Sequence, residues 1–119
     1  MKILLVEDDP KVGAFLEVGL REEGFLVDRA RDGEEAIEVA GTGAYDLILL
    51  DFMLPKKDGH QVAAEIRSRG QQVPILMLTD RDSADDMRRG RAAGVNDYMG
   101  KPFKFDELLQ RIHAMVRQP

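Results

Sequence analysis

Leu47-Ile48-Leu49-Leu50-Asp51 decides how this chain folds: a continuous apolar run, too short for a buried helix, ends on a single carboxylate. Such a run reads as a central parallel strand covered on both faces. Three other runs are built alike. Ile3-Leu4-Leu5-Val6 leads into Glu7-Asp8-Asp9, Ile75-Leu76-Met77-Leu78 into Thr79, and Asp97-Tyr98-Met99-Gly100 into Lys101. As parallel strands they deliver their terminal polar groups to one edge of one sheet, the edge where open α/β folds carry their sites.

The segments between the runs read as helices. After Pro10, apolar residues at Val12, Phe15, Leu16 and Leu20 form a helical stripe that Gly24 ends. Phe25 to Ala30 reads as an outer strand of mixed polarity, and Asp32-Gly33-Glu34-Glu35 opens a helix carrying Ala36, Ile37 and Ala40. A helix with Val62, Ala63 and Ile66 ends near Gly70, and Val73 to Leu78 reads as the next strand. From Ser83 to Arg91 the acids come first and the arginines last, matching the helix dipole, but only Ala84 and Met87 offer apolar surface, so that helix should be loosely held. A short strand over Val95 to Met99 precedes a helix with Phe105, Leu108, Leu109, Ile112 and Val116 at helical spacing. Strand and helix alternate five times, which means a parallel sheet with right-handed crossovers and helices on both faces.

The 119 residues, 44% hydrophobic, suffice for one domain and one core. A net charge of −5 argues against a nucleic-acid surface, since phosphate backbones need clustered Lys and Arg. The absence of cysteine excludes disulfides and thiolate chemistry. No run reaches membrane-spanning length, and Glu7-Asp8-Asp9 stops the N-terminal apolar run short of a signal peptide, so a cytoplasmic protein is expected.

Glu7, Asp8 and Asp51 should share one crevice, where their mutual repulsion calls for a cation. A hard divalent ion with oxygen ligands, Mg2+ above all, meets that need. A carboxylate fixed at a strand end can attack phosphorus to form an aspartyl phosphate, while a Thr79 hydroxyl and a Lys101 ammonium supply the fixed polarity that phosphoryl transfer requires. Each residue alone has a plainer reading, as a turn or cap for the acids and Thr79 and as surface charge for Lys101. Chance capping has no reason to supply the whole set at four strand ends. Tyr98 reads most simply as a half-buried strand aromatic with its hydroxyl at solvent, and His60 and His113 as exposed helix residues.

The chain resembles the receiver domain of two-component response regulators nearly end to end, on Leu5-Val6-Glu7-Asp8-Asp9, on Asp46 to Pro55 with Asp58-Gly59, on Met77-Leu78-Thr79, and on Asp97-Tyr98-Met99-Gly100-Lys101-Pro102-Phe103. That resemblance implies one receiver domain over residues 1–119, a flavodoxin-like three-layer α/β sandwich whose five-stranded parallel sheet has the order 2-1-3-4-5, with five helices. It further implies that Asp51 accepts phosphate from a sensor histidine kinase or phosphotransfer protein, and that Glu7 and Asp8 form an acidic pocket. Mg2+ would be held by Asp8, Asp51 and the Met53 carbonyl, with Lys101 at the phosphoryl group and a cis bond to Pro102. Thr79 and Tyr98 would be switch residues acting on an output face of the fourth helix, fifth strand and fifth helix. By the same likeness the domain assists its own phosphorylation and dephosphorylation but has no independent substrate turnover.

Met53-Leu54-Pro55 and the Tyr98 to Phe103 ending are closest to the OmpR/PhoB-type branch, whose receivers pair through the output face and carry a C-terminal DNA-binding effector. Asp97, Glu107 and Arg111 fit that homodimer pattern, while Met87, Arg91 and Asn96 depart from it. Arg117-Gln118-Pro119 falls about where a linker to an effector would begin, leaving a stand-alone regulator or an excised domain as readings. Asp80 stands where the family usually keeps a small residue. At an effective dielectric of about 20 and a separation of about 8 Å, it would repel a phosphoryl charge by about 2 kcal/mol before screening, so slower phosphorylation or a less accessible phosphoryl group is expected. A haloacid-dehalogenase-type phosphatase needs a second acid where Met53 stands, and a flavin binder needs a phosphate-cradling loop where Glu7-Asp8-Asp9 stands. The remaining alternative is a phosphate-independent pseudo-receiver that only binds a partner.

Overall fold

In the computed structural model residues 1–80 and 83–116 are described, and Arg117-Gln118-Pro119 lies outside them. The elements are β1 (Lys2–Val6), α1 (Pro10–Glu22), β2 (Leu26–Ala30), α2 (Gly33–Ala40), β3 (Leu47–Asp51), α3 (Gly59–Ser68), β4 (Ile75–Thr79), α4 (Ala84–Ala93), β5 (Asp97–Gly100) and α5 (Phe105–Val116). Their strands pair in parallel in the order β2-β1-β3-β4-β5, as the alternation and the resemblance imply. Polar β2 takes an edge, and β3, whose residues are all buried, takes the centre.

Side chains of successive strand residues point to opposite faces, so each central strand feeds two cores. Leu4, Val6, Ile48, Leu50, Ile75 and Met77 pack with Ala36 and Ile37 of α2 and Val62, Ala63 and Ile66 of α3. On the other face Ile3, Leu5, Leu47, Leu49, Leu76 and Leu78 meet Leu16 and Leu20 of α1 and Leu108 and Ile112 of α5. Burying each such Leu or Ile is worth roughly 1.5–3 kcal/mol, so both faces hold the register and the strand ends stay aligned.

Three strands start later than the sequence reading has them, each for a hydrogen-bonding reason. β2 starts at Leu26 because the Phe25 N–H is taken by Leu20 O at the α1 exit. β4 starts at Ile75, not Val73, since Pro74 has no N–H for the ladder and only its carbonyl pairs, with the Ile48 N–H. β5 starts at Asp97 because the Val95 N–H turns back to Gly90 O.

The fourth helix is as sparsely anchored as its composition predicts. Only Gly90 within it is buried, with Met87 and Ala93 partly packed on the core. Its ends are held by polar groups: Ser83 Oγ accepts the Asp86 N–H, and the Arg67 guanidinium of α3 donates to Gly94 O at 3.0 and 3.1 Å. No described helix is long and apolar enough to cross a membrane.

Candidate functional site

Asp51 is the last residue of β3 and is 4% exposed; Glu7, immediately after β1, is 2% exposed, and Asp8 beside it is open to solvent. Oxygens of these three carboxylates lie within 4.8 Å of one another. The Glu7 N–H donates to Ala30 O at 3.1 Å, which prolongs the ladder past β1 and fixes the acid. Lys101 is held likewise at the end of β5 by donation of its N–H to Thr79 O at 3.0 Å. Its ammonium donates to Asp51 Oδ1 at 2.7 Å and stands 4.0 Å from Glu7 Oε1. The Lys101–Pro102 bond is cis. Thr79, buried at the end of β4, is one residue past Leu78, the ladder neighbour of Asp51.

The loop after β3 returns across the site. The Gly59 N–H donates to Phe52 O at 2.8 Å, and a Cβ on Gly59 would lie 2.9 Å from Phe52 Cα and 3.1 Å from Asp51 O. Glycine is therefore what lets the α3 start press against the backbone of Asp51, leaving Met53 exposed in the loop between them. Asp58 and Gln61 close a capping box on α3. Asp9, the third acid of the first motif, serves as a cap: its Oδ1 accepts the Lys11 and Val12 N–H groups at 2.9 and 3.2 Å. An aspartate directly before Pro10 is the signal for that use.

Burial pushes the Glu7 carboxyl up to about 7, with the Asp51 charge adding to the effect. Its Oε1 is buried with no hydrogen-bond partner among the described residues. Burial alone would lower Lys101, but the hydrogen bond and charge of Asp51, with Glu7 and Asp80 behind them, hold it above the ordinary lysine value. Among the described residues one ammonium thus faces the buried pair Glu7 and Asp51, with Asp8 beside them, and an orphaned carboxylate oxygen sits among the three acids. Such a donor set, all oxygen and short of positive charge, fits a hard divalent cation.

A protein-family model for the response regulator receiver domain matches residues 3–113. The chain belongs to that family. Among relatives, the Escherichia coli transcriptional regulatory protein HprR is 45% identical over 118 residues, covering 99% of this chain and 52% of HprR. The chain thus spans about half the length of the curated relatives it matches, and their character as transcriptional regulators agrees with the OmpR/PhoB-type resemblance. Two solved receivers superpose closely. The BeF3-activated N-terminal receiver domain of Klebsiella pneumoniae RstA has a TM-score of 0.91 at 36% identity and covers 99% of this chain and 100% of that one. The receiver domain of the Pseudomonas aeruginosa sensor histidine kinase PA1611, with magnesium coordinated in its active-site cleft, has a TM-score of 0.89 at 39% identity, covering 98% of each chain.

Elsewhere this receiver departs from the sequence reading at Tyr98 and His60. Tyr98 is 7% exposed and its hydroxyl is turned inward, 3.0 Å from His60 Nε2 and 3.4 Å from Asp86 O. Burial raises the Tyr98 pKa. His60 is half-buried, edge-on to the Phe52 ring at 4.9 Å, rather than exposed and without partners. The two residues are 38 apart in sequence, so no local pattern reveals the pair. On the face of α4, β5 and α5, Arg111 bonds Asp97 Oδ2 at 3.1 Å and Tyr98 O at 2.7 Å within the chain. Asn96 has a structural use: its Oδ1 accepts the Ile75 N–H and the Arg67 guanidinium, both at 2.8 Å.

Proposed function

We propose that residues 1–119 form a phosphorylation-operated switch in which Asp51 accepts a phosphoryl group from a histidine kinase or phosphotransfer protein. The single observation that carries this reading is the Lys101 Nζ contact with Asp51 Oδ1 at 2.7 Å inside a cluster of carboxylates otherwise short of positive charge among the described residues. A carboxylate oxygen of Asp51 forms the new bond to phosphorus as the bond from phosphorus to the donor's leaving atom breaks. Lys101 then faces the oxygens of the transferred group, and the Thr79 hydroxyl donates to them. Asp8, Asp51 and the Met53 carbonyl, with Glu7 behind them, would hold Mg2+, which supplies neutralising charge for the phosphoryl oxygens. The domain turns over no separate substrate. The donor's protein surface has a place to sit: a groove of about 470 Å³ lined by Val12, Phe15, Leu16, Pro102 and Phe103 adjoins Lys101 and Asp80, and Phe15 is 63% exposed.

A doubly charged group on Asp51 favours the arrangement in which Thr79 and Lys101 close on it, and Tyr98 and the α4-β5-α5 face carry the change outward. Few buried contacts hold α4, so its repositioning costs little. The reading extends to a C-terminal DNA-binding effector and to homodimerisation through that face, with Asp97, Glu107 and Arg111 as pairing residues. Acetyl phosphate with Mg2+ is expected to add the mass of one phosphate to the intact protein, and EDTA to abolish the gain. A pseudo-receiver would show no gain under either condition.

Asp80 is exposed at the rim of the groove and adds negative charge near Lys101. Asp80→Ala is expected to speed phosphorylation by acetyl phosphate about two- to fivefold, the screened remainder of the Coulomb repulsion. Stopped-flow or mass-spectrometric time courses check this, and equal rates in variant and wild type would remove the role of Asp80.

A further inference from the structure

The inward hydroxyl of Tyr98 lies between two elements that the phosphoryl chemistry does not use. From α3, His60 Nε2 reaches it at 3.0 Å, and the His60 ring is fixed from behind by its edge-on contact with Phe52, the residue next to Asp51. From α4, Gly90 provides the space, since a Cβ there would overlap the Tyr98 hydroxyl and would also lie 3.0 Å from His60 Nε2. Among the described residues the other contact of the hydroxyl, with Asp86 O, is long at 3.4 Å. A buried hydroxyl that loses its short hydrogen bond is left largely unsatisfied, whereas one swung outward is solvated. Gly90 also sits inside α4, where alanine is ordinarily the better helix former. Its occurrence there is accounted for by the tyrosine.

We propose that His60 and Gly90 form a clasp that sets the inward orientation of Tyr98, making His60 a positioning residue for the switch and α3 a second input to it. The proposal rests on the reading of Tyr98 as a switch residue and adds a control that does not pass through Asp51. The clasp links the Tyr98 hydroxyl to Phe52 through a single imidazole, so the site loop and the output face meet at this side chain. Loss of the bond is expected to shift the ratio of inward to outward Tyr98 by roughly three- to tenfold toward outward, as befits one net hydrogen bond.

The chain has no tryptophan and only two tyrosines, so Tyr45→Phe leaves Tyr98 as its one tyrosine emitter. Tyr45 bonds Asp28 near the opposite sheet edge, away from the clasp. In that background, acrylamide quenching of Tyr98 fluorescence reads its exposure, with far-UV circular dichroism reporting the fold. His60→Phe keeps a ring against Phe52 but removes the polar partner; His60→Gln keeps a polar partner but removes the ring. The clasp predicts quenching increased severalfold in His60→Phe, near the starting value in His60→Gln, and highest in Gly90→Ala, where the added methyl expels the ring. Unchanged quenching in His60→Phe, an equal rise in both His60 variants, or the reverse order would each overturn it. Should His60→Phe lose its dichroism, Gly90→Ala decides in its place, with unchanged quenching there overturning the clasp and increased quenching upholding it. No phosphodonor is present, so a negative result counts against the clasp and leaves the Asp51 chemistry standing.

Discussion

Glu7→Gln is expected to stabilise the metal-free receiver at pH 8 by about 1–3 kcal/mol and to weaken Mg2+ binding at least about tenfold. The Glu7 carboxyl is raised from 4.5 to about 7 by burial and by Asp51. Because the folded chain holds this proton more tightly than the unfolded chain, the associated stability is fully present below about 4.5 and is lost as the pH rises through about 7. At pH 8 the ionised form costs up to about 3 kcal/mol, with the attraction of Lys101 already included in the shift. Glutamine removes that cost and keeps the shape. The rise in Tm, roughly 4–12 °C for a domain of this size, should therefore be large at pH 8 and small at pH 5. Differential scanning calorimetry across that range, with Mg2+ titrated in parallel, is the measurement. A pH-independent difference, or a loss of stability at pH 8, would show that Glu7 is not a strained carboxylate.

Lys101→Met acts on the same charge balance with the opposite sign. The ammonium bonds the nearly buried Asp51 carboxylate at 2.7 Å, and removing one partner of such a pair leaves a buried charge uncompensated. Lys101 is itself one-third exposed, so water reaches the site and the expected loss is about 1–3 kcal/mol rather than the full cost of a dry pair. Mg2+ should restore part of it. Phosphorylation should fare worse, slowing about 10²–10³-fold, since a positioned charge at the reacting oxygens is lost. Thermal melts with and without Mg2+ separate the two effects from the rate, which mass spectrometry follows. A variant that melts like wild type yet phosphorylates at the wild-type rate would remove Lys101 from the site.

The sheet was legible because residues 3–6, 47–50 and 75–78 are apolar without interruption, a pattern that only burial on both faces explains. Polar residues at the ends of those runs placed the acidic crevice for the same reason, as parallel strands share a direction. Strand starts were less legible, because they depend on where single N–H groups of Phe25 and Val95 go and on the missing one of Pro74. Asp9 and Asp58 carry cap signals in their spacing to Pro10 and Gln61, so their use could have been read. The His60–Tyr98 contact could not, since it depends on how α3 and α4 stack over β5 and on the volume that Gly90 leaves free.

Reductive trapping of the phosphorylated protein tests the central claim most directly. Borohydride converts an aspartyl phosphate to homoserine, and tandem mass spectrometry then locates the converted residue. After acetyl phosphate and Mg2+, homoserine is expected at position 51 and nowhere else, and the phosphate mass gain is expected to vanish in Asp51→Asn. Homoserine at position 8 or 9 instead, or a mass gain that survives in Asp51→Asn, would contradict the account.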